Sequence, residues 1–411
     1  MSKGAVFQLA AYGTQDLYIT GNPQVTHFKS VIKRHTNFSM ETVENHFDGK
    51  LAFGQKLQCK LRRIGDLLHQ VYLKIKLPKL QVIQGENNLY TSWVNAIGYA
   101  MIEYIEIQIG DRVIDRHTGQ WMNIWSELSI NASKKDLINS MTGKHNFFTS
   151  TTQNGPLELY IPLQFWFCKD IGSALPLIAL QYQDVRINLK TKPLEKLWVS
   201  NDINFAKQVI PENINFQECV LLANYIFLDD EERKYFAKNK HYYLIEQIQH
   251  STQSVDVKRT ENIIDLPFNH PVKELIWVVQ SDIVKDNNQW INYSGTVEDI
   301  KLSNPVAPIK TAIIKFEGIE RCELYNERYF RTVMPWKYHT TEPDNFIYLY
   351  SFSTNPEKLQ PTGTANFSRI DRATLHLTTN NDIGKADINV YAVNYNIFRI
   401  TNGICGVLFA N

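Results

Sequence analysis

Apolar and polar residues alternate along much of this chain with a period of two, not with the 3.6-residue period of a helix. In the stretch 71–77 every second residue is apolar, so a strand there has one dry face and one wet face. The stretches 104–109, 185–190 and 388–392 alternate in the same way. The stretch 275–279 is apolar throughout, as expected for a strand that is buried on both faces. These patterns predict an all-β protein.

Helices are predicted to be few and short. Apolar residues follow the i, i+3, i+4, i+7 spacing of an amphipathic helix at Trp121, Ile124, Trp125 and Leu128. Residues 229–232 are all acidic and are followed by two bases, which is the charge order that favours a helix. Because this second segment is charged and lies near the middle of the chain, we expect it to connect two domains.

The two halves of the chain contain similar segments in the same order. The paired segments are 73–77 with 275–279, 105–116 with 314–321, 182–189 with 369–377, and 222–225 with 392–395. Tryptophans follow the second pair in both halves, namely Trp121 and Trp125 in the first and Trp336 in the second. Four matches in one order predict that a single sandwich was duplicated. Each copy has enough strands for an eight-stranded antiparallel jelly roll, so the expected fold is two tandem jelly-roll β-sandwiches with a few short helices.

The length of 411 residues also favours two domains, because one compact core seldom grows this large. The predicted division has four parts, which are an amino-terminal arm (1–25), a first jelly roll (26–228), a connecting helix or linker (229–240) and a second jelly roll (241–411).

The composition gives no reason to expect a nucleic-acid partner, because 43 basic and 42 acidic residues leave a net charge of only +1. The five cysteines form no C-x-x-C pair and fit no disulfide or zinc pattern, so we expect reduced thiols. No apolar stretch is long enough for a signal peptide or a membrane span. These features predict a soluble protein that is made in the cytosol. The five cysteines are Cys59, Cys168, Cys219, Cys322 and Cys405.

No catalytic, metal or cofactor site is predicted. The chain has no G-x-G-x-x-G, P-loop, G-x-S-x-G or H-E-x-x-H motif. Metal-binding jelly rolls need a His-x-His pair, and none occurs among the 11 histidines. Asp115 and His117 near Glu127, or Asp265 and His270, are the best alternatives, but no further ligand stands at a recognisable spacing from either.

Two weaker surface features are candidate sites. Four Asn-x-Ser sequons occur, at Asn37, Asn131, Asn292 and Asn366. Only Asn131 and Asn292 fall in predicted loops and are therefore candidates for glycosylation. A cluster of bases, formed by Lys29, Lys33, Arg34, Lys74 and Lys76, is either a solvated face or a basic patch that binds an anionic partner.

Several long segments resemble one known family, the major capsid proteins of nucleocytoplasmic large DNA viruses of the iridovirus, phycodnavirus and marseillevirus kind. The similarity covers the start, the middle and the end of the chain. The segments that carry it are FQLAAYGTQDLYITGNPQ (7–24), RHTNF (34–38), LYIPLQFWF (159–167), LPLIALQY (175–182), NFSRID (366–371) and INVYAVNYN (388–396).

The resemblance implies a non-enzymatic double jelly roll that forms homotrimers. These capsomers are pseudo-hexagonal and tile an icosahedral shell. It implies contacts with neighbouring capsomers, with minor capsid proteins and with an internal membrane. It implies no cofactor, no small-molecule substrate and no direct contact with nucleic acid. The expected location is the virion, assembled in the host cytoplasm. Modest loops, such as 280–306, predict a small outward tower.

In this setting the basic cluster would lie on the capsomer underside, facing the membrane or acidic minor proteins. The apolar arm, in which glycines at positions 4, 13 and 21 are expected to break any helix, would bind the base or a neighbouring subunit. Two alternatives stay open. One is a minor capsid or scaffold paralogue with the same fold, and the other is a cupin-like or carbohydrate-binding sandwich, which should be a monomer.

Overall fold

The computed structural model describes residues 3–78, 80, 82–84, 89–144, 157–200, 214–255, 261–296, 305–380 and 384–409. The chain divides into a small amino-terminal unit, residues 1–38, and a large unit, residues 39–411. Both β-sandwiches lie within the large unit, which is therefore one compact body.

The amino-terminal unit contains two short helices, α1 (Lys3–Ala10) and α2 (Leu17–Thr20). Neither helix buries any side chain. Gly4 lies inside α1, so the expectation that the glycines would break every helix is wrong there. A single glycine destabilises a helix by only about 1 kcal/mol relative to alanine, so one glycine does not by itself exclude a helix.

The first sandwich of the large unit has two main antiparallel sheets. Its strands are β1 (Phe38–His46), β2 (Lys56–Lys60), β3 (Leu67–Leu77), β4 (Val82–Gln84), β5 (Leu89–Trp93), β6 (Ile102–Ile109), β7 (Arg112–His117), β8 (Leu157–Pro162), β9 (Leu175–Pro176), β10 (Val185–Thr191), β11 (Trp198–Ser200) and β12 (Glu218–Leu228). One sheet has the order β1-β12-β3-β8 and the other has the order β2-β10-β6-β7. A small third sheet has the order β11-β5-β4.

The second sandwich repeats this arrangement. Its strands are β13 (His241–Val255), β14 (Glu261–Asp265), β15 (Pro271–Ser281), β16 (Ile309–Phe316), β17 (Ile319–Glu320), β18 (Tyr325–Asn326), β19 (Tyr348–Ser351), β20 (Ala365–Asn366), β21 (Ala373–Thr379), β22 (Ala386–Thr401) and β23 (Ile404–Val407). The sheet orders are β13-β22-β15-β19 and β14-β21-β16-β17. These are the orders of the first sandwich, strand for strand, as a duplicated jelly roll requires.

The similar segments found in the sequence lie on equivalent strands. The first pair lies on β3 and β15, and the second begins on β6 and β16. The third pair ends on β10 and β21, and the fourth lies on β12 and β22. The all-β, double jelly-roll prediction is therefore confirmed.

The strands β3 and β15 show why their sequence patterns differ. Along β3 the residues are alternately buried and half-buried, so one face of the sheet remains partly open. Along β15 every residue after Pro271 is buried. The first pattern was predicted from alternating polar and apolar residues, and the second from a continuous apolar stretch. The difference arises because the outer face of the second sandwich is covered by a helix from the first, as described below.

The helices of the large unit lie in loops between strands. They are α3 (Ile97–Ala100), α4 (Gly119–Ser129), α5 (Lys135–Thr142), α6 (Trp166–Lys169), α7 (Asp230–Lys238), α8 (Asp282–Asp286) and α9 (Met334–Tyr338). Short 3₁₀ turns occupy Ala132–Lys134, Ile171–Ser173, Leu177–Ala179, Leu194–Lys196 and Phe367–Arg369, and a π-turn occupies Tyr329–Val333. Helices α4 and α7 are the two that the sequence predicted. Helix α7 joins the two sandwiches, and Asp229 caps it by accepting a hydrogen bond of 2.9 Å from the amide of Glu232.

Among the described residues, no helix has the length and apolar character that crossing a bilayer demands.

Candidate functional site

Helix α4 begins where the first sandwich meets the second. Thr118 caps its amino end, because the Thr118 hydroxyl accepts a hydrogen bond of 3.1 Å from the amide of Trp121. The next residue is Gly119, and a β-carbon there would lie only 2.0 Å from the carbonyl oxygen of Tyr99. The backbone of α4 is thus pressed against the first sandwich at a position that only glycine fits.

The apolar face of α4 belongs to the core of the second sandwich, although the helix follows β7 of the first. Its four predicted apolar residues are all buried in that core, namely Trp121, Ile124, Trp125 and Leu128. Met122, on the opposite side, is buried in the first core. The ring centres of Trp121 and Tyr391 are 5.3 Å apart, and Tyr391 lies on β22. Helix α4 therefore joins the two sandwiches by sharing its side chains between two cores.

Strand β7 contributes polar contacts to the same junction. The side chain of Gln247, on β13, donates a hydrogen bond of 2.5 Å to the carbonyl oxygen of Ile114. The amide of Ile248 donates a bond of 3.2 Å to Asp115. The other carboxylate oxygen of Asp115 lies 2.9 Å from Nε2 of His117. Asp115 therefore has its oxygens occupied by groups of the junction.

A buried ionic cluster links the sandwiches beside α4. The carboxylate of Glu246, on β13, accepts a hydrogen bond of 2.9 Å from Lys169 of α6 in the first sandwich. Its second oxygen accepts a bond from Lys273, whose side chain has no exposed surface. Burial raises the pKa of Glu246, but the two lysines lower it by more, so the pKa lies below its usual value. Lys169 also lies 4.3 Å above the ring of Trp125.

A second buried cluster lies close by. Nε2 of His339 is 2.8 Å from Glu274 and its Nδ1 is 3.1 Å from Glu357. Burial lowers the pKa of His339, yet the two carboxylates raise it by more, to about 9. The imidazole is therefore charged at neutral pH and bridges two acids. The ring of His339 meets the ring of Trp125 edge to face at 6.1 Å.

The described residues leave cavities between the sandwiches at this junction, and two of them are large enough to hold water. The larger has a volume of about 610 Å³ and is lined by Trp166, Lys169, Glu246, Glu357 and Leu359 among others. The smaller has a volume of about 210 Å³ and contains Lys192 and Trp290. The ammonium of Lys192 lies 3.7 Å above the ring of Trp290, and burial lowers its pKa to about 7.

Asp115 and Glu127, two of the groups considered as metal ligands, are occupied by hydrogen bonds within the fold. Glu127 accepts hydrogen bonds from Lys144 (2.9 Å) and Asn345 (2.9 Å), not from the Asp115–His117 pair. Asp265 is an exposed residue of β14, a strand in which exposed and buried residues alternate. Within the part of the chain that the structure describes, no group of three or more His, Cys, Asp or Glu side chains stands ready to hold a metal ion.

The two candidate glycosylation sites differ sharply in accessibility. Asn131 is exposed and caps the 3₁₀ turn that follows it, by accepting a bond of 3.1 Å from the amide of Ser133. Asn292 is only 3% exposed, and its amide nitrogen donates to Gln289 and to the carbonyl oxygen of Thr296. A sugar on Asn292 would break both bonds and would have to enter the interior. The burial of Asn292 therefore weighs against glycosylation at this residue, and Asn131 is the more accessible of the two candidates.

The predicted basic cluster falls on both units. Lys29, Lys33 and Arg34 are exposed residues of the amino-terminal unit. Lys74 and Lys76 lie on the half-open face of β3. Lys74 is surrounded by acids, since its ammonium is 2.7 Å from Glu218, 3.7 Å from Glu44 and 3.9 Å from Glu158. The hydrogen bond that it donates to Glu218 is the main reason that its pKa is raised.

All five cysteines are free thiols. Burial raises the pKa of Cys59, Cys168, Cys219 and Cys405 to about 12. These thiols are therefore uncharged at neutral pH.

Sequence reasoning missed the charged residues of the junction. The signal that was available is the pair Lys273-Glu274 inside β15, a strand that is otherwise apolar. Two adjacent charges in a strand buried on both faces indicate that each has a buried partner. The partners themselves lie far away in the sequence and were not detectable.

Comparisons with known proteins cover nearly the whole chain. The family described as "Major capsid protein N-terminus" matches residues 26–229, and "Large eukaryotic DNA virus major capsid protein" matches residues 232–406. A major capsid protein of Phaeocystis pouchetii virus is 34% identical over 520 aligned positions, covering 99% of this chain and 100% of the relative. The PBCV-1 virus capsid structure matches with a TM-score of 0.80 at 27% identity, covering 94% of this chain and 100% of that one. The Faustovirus major capsid protein, 12% identical, shares the fold with a TM-score of 0.75, covering 97% of this chain and 96% of that one.

Proposed function

Since the chain belongs to the family of large eukaryotic DNA virus major capsid proteins, we propose that three copies of it form one capsomer of an icosahedral shell. Membership makes the chain a structural protein of the virion. The observation that carries the proposal is the alignment of both sandwiches, over 94% of the chain, with a subunit of an assembled capsid. A three-copy capsomer made of six similar sandwiches suits a near-hexagonal lattice.

We propose that the chain has no catalytic activity. The best candidates for chemistry, Asp115 and His117, are supported as structural groups because Asp115 accepts a hydrogen bond from β13. Glu127 is likewise held by Lys144 and Asn345. This arrangement favours the structural role over a cupin-like or carbohydrate-binding one.

We propose the division of the chain into an arm (1–25), a first jelly roll (26–228), a linker (229–240) and a second jelly roll (241–411). The sheets support it, because β1 to β12 end at Leu228 and β13 begins at His241. Limited proteolysis of the monomeric chain should cut first in the arm.

We propose that the arm binds the capsomer base or a neighbouring subunit. This proposal is supported by the apolar side chains of α1 and α2, none of which is buried in the chain. Deleting residues 2–22 should impair shell formation, as measured by electron microscopy of assembly reactions. Normal shells from the truncated chain would refute this.

For the basic cluster we retain the hypothesis that Lys29, Lys33, Arg34, Lys74 and Lys76 face an internal membrane or acidic minor proteins. The acids around Lys74 weaken its own contribution, so Lys29, Lys33 and Arg34, the three exposed bases of the amino-terminal unit, should dominate. Charge reversal at Lys29, Lys33 and Arg34 should reduce binding to anionic liposomes, whereas unchanged binding and assembly would refute the hypothesis. Asn131 remains a proposed glycosylation site, and mass spectrometry of particle-derived chain tests it.

The second candidate function is that of a minor capsid or scaffold paralogue with the same fold. The chain is 30% identical over 99% of its length to a relative named "Probable capsid protein 4", a name that assigns no major role. Quantitative mass spectrometry of purified particles separates them. A major capsid protein should be the most abundant polypeptide, and we propose that it assembles into virions in the host cytoplasm. A chain present in a few copies per particle would refute the major role.

A further inference from the structure

The sheets β2-β10-β6-β7 and β14-β21-β16-β17 occupy equivalent places in the two sandwiches. Each has an inner face toward its own core and an outer face, because successive side chains of a strand point to opposite sides. The junction between the sandwiches leaves exposed charged side chains on both outer faces. We call the outer side of β2-β10-β6-β7 the first outer face and that of β14-β21-β16-β17 the second outer face.

The first outer face is basic. On β2 its residues are Lys56, Gln58 and Lys60, and both lysines are more than half exposed. Neighbouring strands add three more bases, which are Arg186 and Lys190 on β10 and Arg116 on β7. Two acids accompany these five bases. Glu106, at the centre of the face, is only 2% exposed, and Asp184, just before β10, lies 2.8 Å from Lys60.

A row of polar side chains crosses all four strands at the centre of the first outer face. Gln58 donates a hydrogen bond of 2.8 Å to Asn188, and Asn188 donates one of 3.1 Å to Glu106. Glu106 also accepts a bond of 2.8 Å from Arg116. Because these side chains hold one another in place, the bases around them are presented on a preorganised surface, which loses little conformational freedom when it binds.

The second outer face has acids where the first has lysines. On β14, the counterpart of β2, the outer residues are Glu261, Ile263 and Asp265, and all three are exposed. Ile263 pairs with the central residue of β21, just as Gln58 pairs with the central residue of β10. The two acids of β14 therefore stand at the positions of the two lysines of β2.

The rest of the second outer face preserves this negative charge. Glu320 on β17 is more than half exposed, and the base nearest to it, Lys315 on β16, is 28% exposed at a distance of 3.8 Å. Burial is the main reason that the pKa of His376, on β21, is lowered, so this imidazole is uncharged at neutral pH. With three acids against one base among these residues, the second outer face is negative where the first is positive.

Alternating signs suit a lattice of three-copy capsomers. Three copies contribute six sandwiches to a ring, so basic and acidic outer faces alternate around it. In such a ring, positions that lie opposite each other always differ in sign. When two rings of the same orientation lie side by side, one side of the first meets the opposite side of the second. A basic face then meets an acidic face at every contact.

We infer that the first outer face of one copy binds the second outer face of a copy in a neighbouring capsomer. The inference rests on the proposed three-copy capsomer and goes beyond it, because it concerns the contact between capsomers. Complementary charges favour association and fix the register of the two faces, whereas like charges placed opposite each other oppose it. Exposed ion pairs are individually weak, so many such contacts are needed before the lattice becomes stable.

The test reverses the charge of each face in the full-length chain. Lys56→Glu with Lys60→Glu makes both outer faces acidic, and Glu261→Lys with Asp265→Lys makes both basic. Sedimentation velocity measures trimer formation, and negative-stain electron microscopy detects ordered arrays of trimers at low salt. Each variant should form trimers but should need a protein concentration at least about 10-fold higher than the wild type to form arrays. Wild-type arrays should dissolve in 1 M salt, where the Debye length is only about 3 Å.

A matched control and a rescue separate this contact from a general effect of charge. Lys234→Glu with Lys240→Glu changes the net charge as much as the first variant does, at two exposed lysines of the linker, and should form arrays like the wild type. An equimolar mixture of the two face-reversed trimers should form arrays at the wild-type concentration, because an acidic face can again meet a basic one. A chain that carries all four reversals should assemble for the same reason.

Each other result contradicts the inference at a defined point. Reversed trimers that form arrays like the wild type, defective trimers that the mixture does not rescue, or wild-type trimers that form no arrays would overturn it and leave the capsomer intact. A wild-type chain that stays monomeric would overturn both. Reversal on β2 that abolishes binding to phosphatidylserine vesicles but leaves arrays unchanged would assign the first outer face to a membrane. Should that variant melt at a lower temperature, the β14 variant decides alone, because its two acids are exposed.

Discussion

Replacing Glu246 by Gln should strongly destabilise the large unit, because this carboxylate is the shared partner of two lysines at the junction. After the change Lys273 would lose its charged partner and would keep only uncharged acceptors, the carbonyl oxygen of Pro356 at 2.6 Å and the amide oxygen of the new glutamine. Its side chain has no contact with water, so the ammonium cannot be rehydrated without opening the junction. Breaking a buried pair in this way costs about 3–5 kcal/mol, a large part of the roughly 5–15 kcal/mol that holds a typical protein folded.

The pH dependence of this loss follows from the direction of the pKa shift. The folded pKa of Glu246 is lower than the unfolded one, so its contribution is present above the ordinary value of 4.5 and disappears as the pH falls through the folded value. The stability difference between wild type and Glu246→Gln should therefore be large at pH 7 and should shrink in acid. A double variant, Glu246→Gln with Lys273→Met, should lose less than the single one because it no longer buries the Lys273 charge.

The assay is urea denaturation at one fixed protein concentration, followed by tryptophan fluorescence and circular dichroism. The matched control is Glu320→Gln, which removes a surface partner 3.8 Å from Lys315 and should change the free energy of unfolding by less than about 0.5 kcal/mol. The reasoning fails if Glu246→Gln unfolds within about 1 kcal/mol of the wild type. It also fails if the single variant is more stable than the double one.

Three further predictions concern the same junction. The pKa of His339 is about 9 in the folded protein and near 6.5 in the unfolded one, so its stabilisation is complete below pH 6.5 and is lost as the pH rises to 9. In thermal melting, the free energy of unfolding should fall by about 3 kcal/mol over this range in the wild type but not in His339→Gln. Parallel pH curves for the two proteins would contradict this. Gly119→Ala should lower the free energy of unfolding by at least about 2 kcal/mol, because the new β-carbon would overlap the carbonyl oxygen of Tyr99. In the control Gly49→Ala the β-carbon meets nothing within 4 Å, so only the positive φ of residue 49 should destabilise the variant. Equal losses of stability for the two variants in denaturation would contradict this. Trp121→Ala should lower the free energy of unfolding by about 3–5 kcal/mol, because it opens a cavity between the two cores. A loss below about 1 kcal/mol in the same assay would show that packing of the indole does not stabilise the junction.

Much of this architecture was predictable because its cause is local. Alternation in the stretch 71–77 and continuous hydrophobicity in 275–279 correctly predicted one half-open strand and one strand buried on both faces. The spacing of the apolar residues in α4 correctly predicted a helix. It gave no indication that their partners belong to the other sandwich, since a pattern reports burial and not what covers it.

The remaining features depend on residues that are distant in the sequence. Lys169 and Glu246 are 77 positions apart, and nothing in either segment indicates the other. Asn292 was expected in an accessible loop, yet its side chain is a hydrogen-bonding centre inside a folded turn. Local composition predicts a loop correctly in such cases, but only the packing of that loop decides which side chains reach water.

The central claim is that three copies of this duplicated pair of sandwiches associate to form one capsomer. Native mass spectrometry of the purified wild-type chain tests it most directly. The account predicts a dominant species of three times the chain mass of 47.7 kDa, with no stable even-numbered species. A chain that remains a monomer at every concentration, or that forms a symmetric dimer, would contradict it.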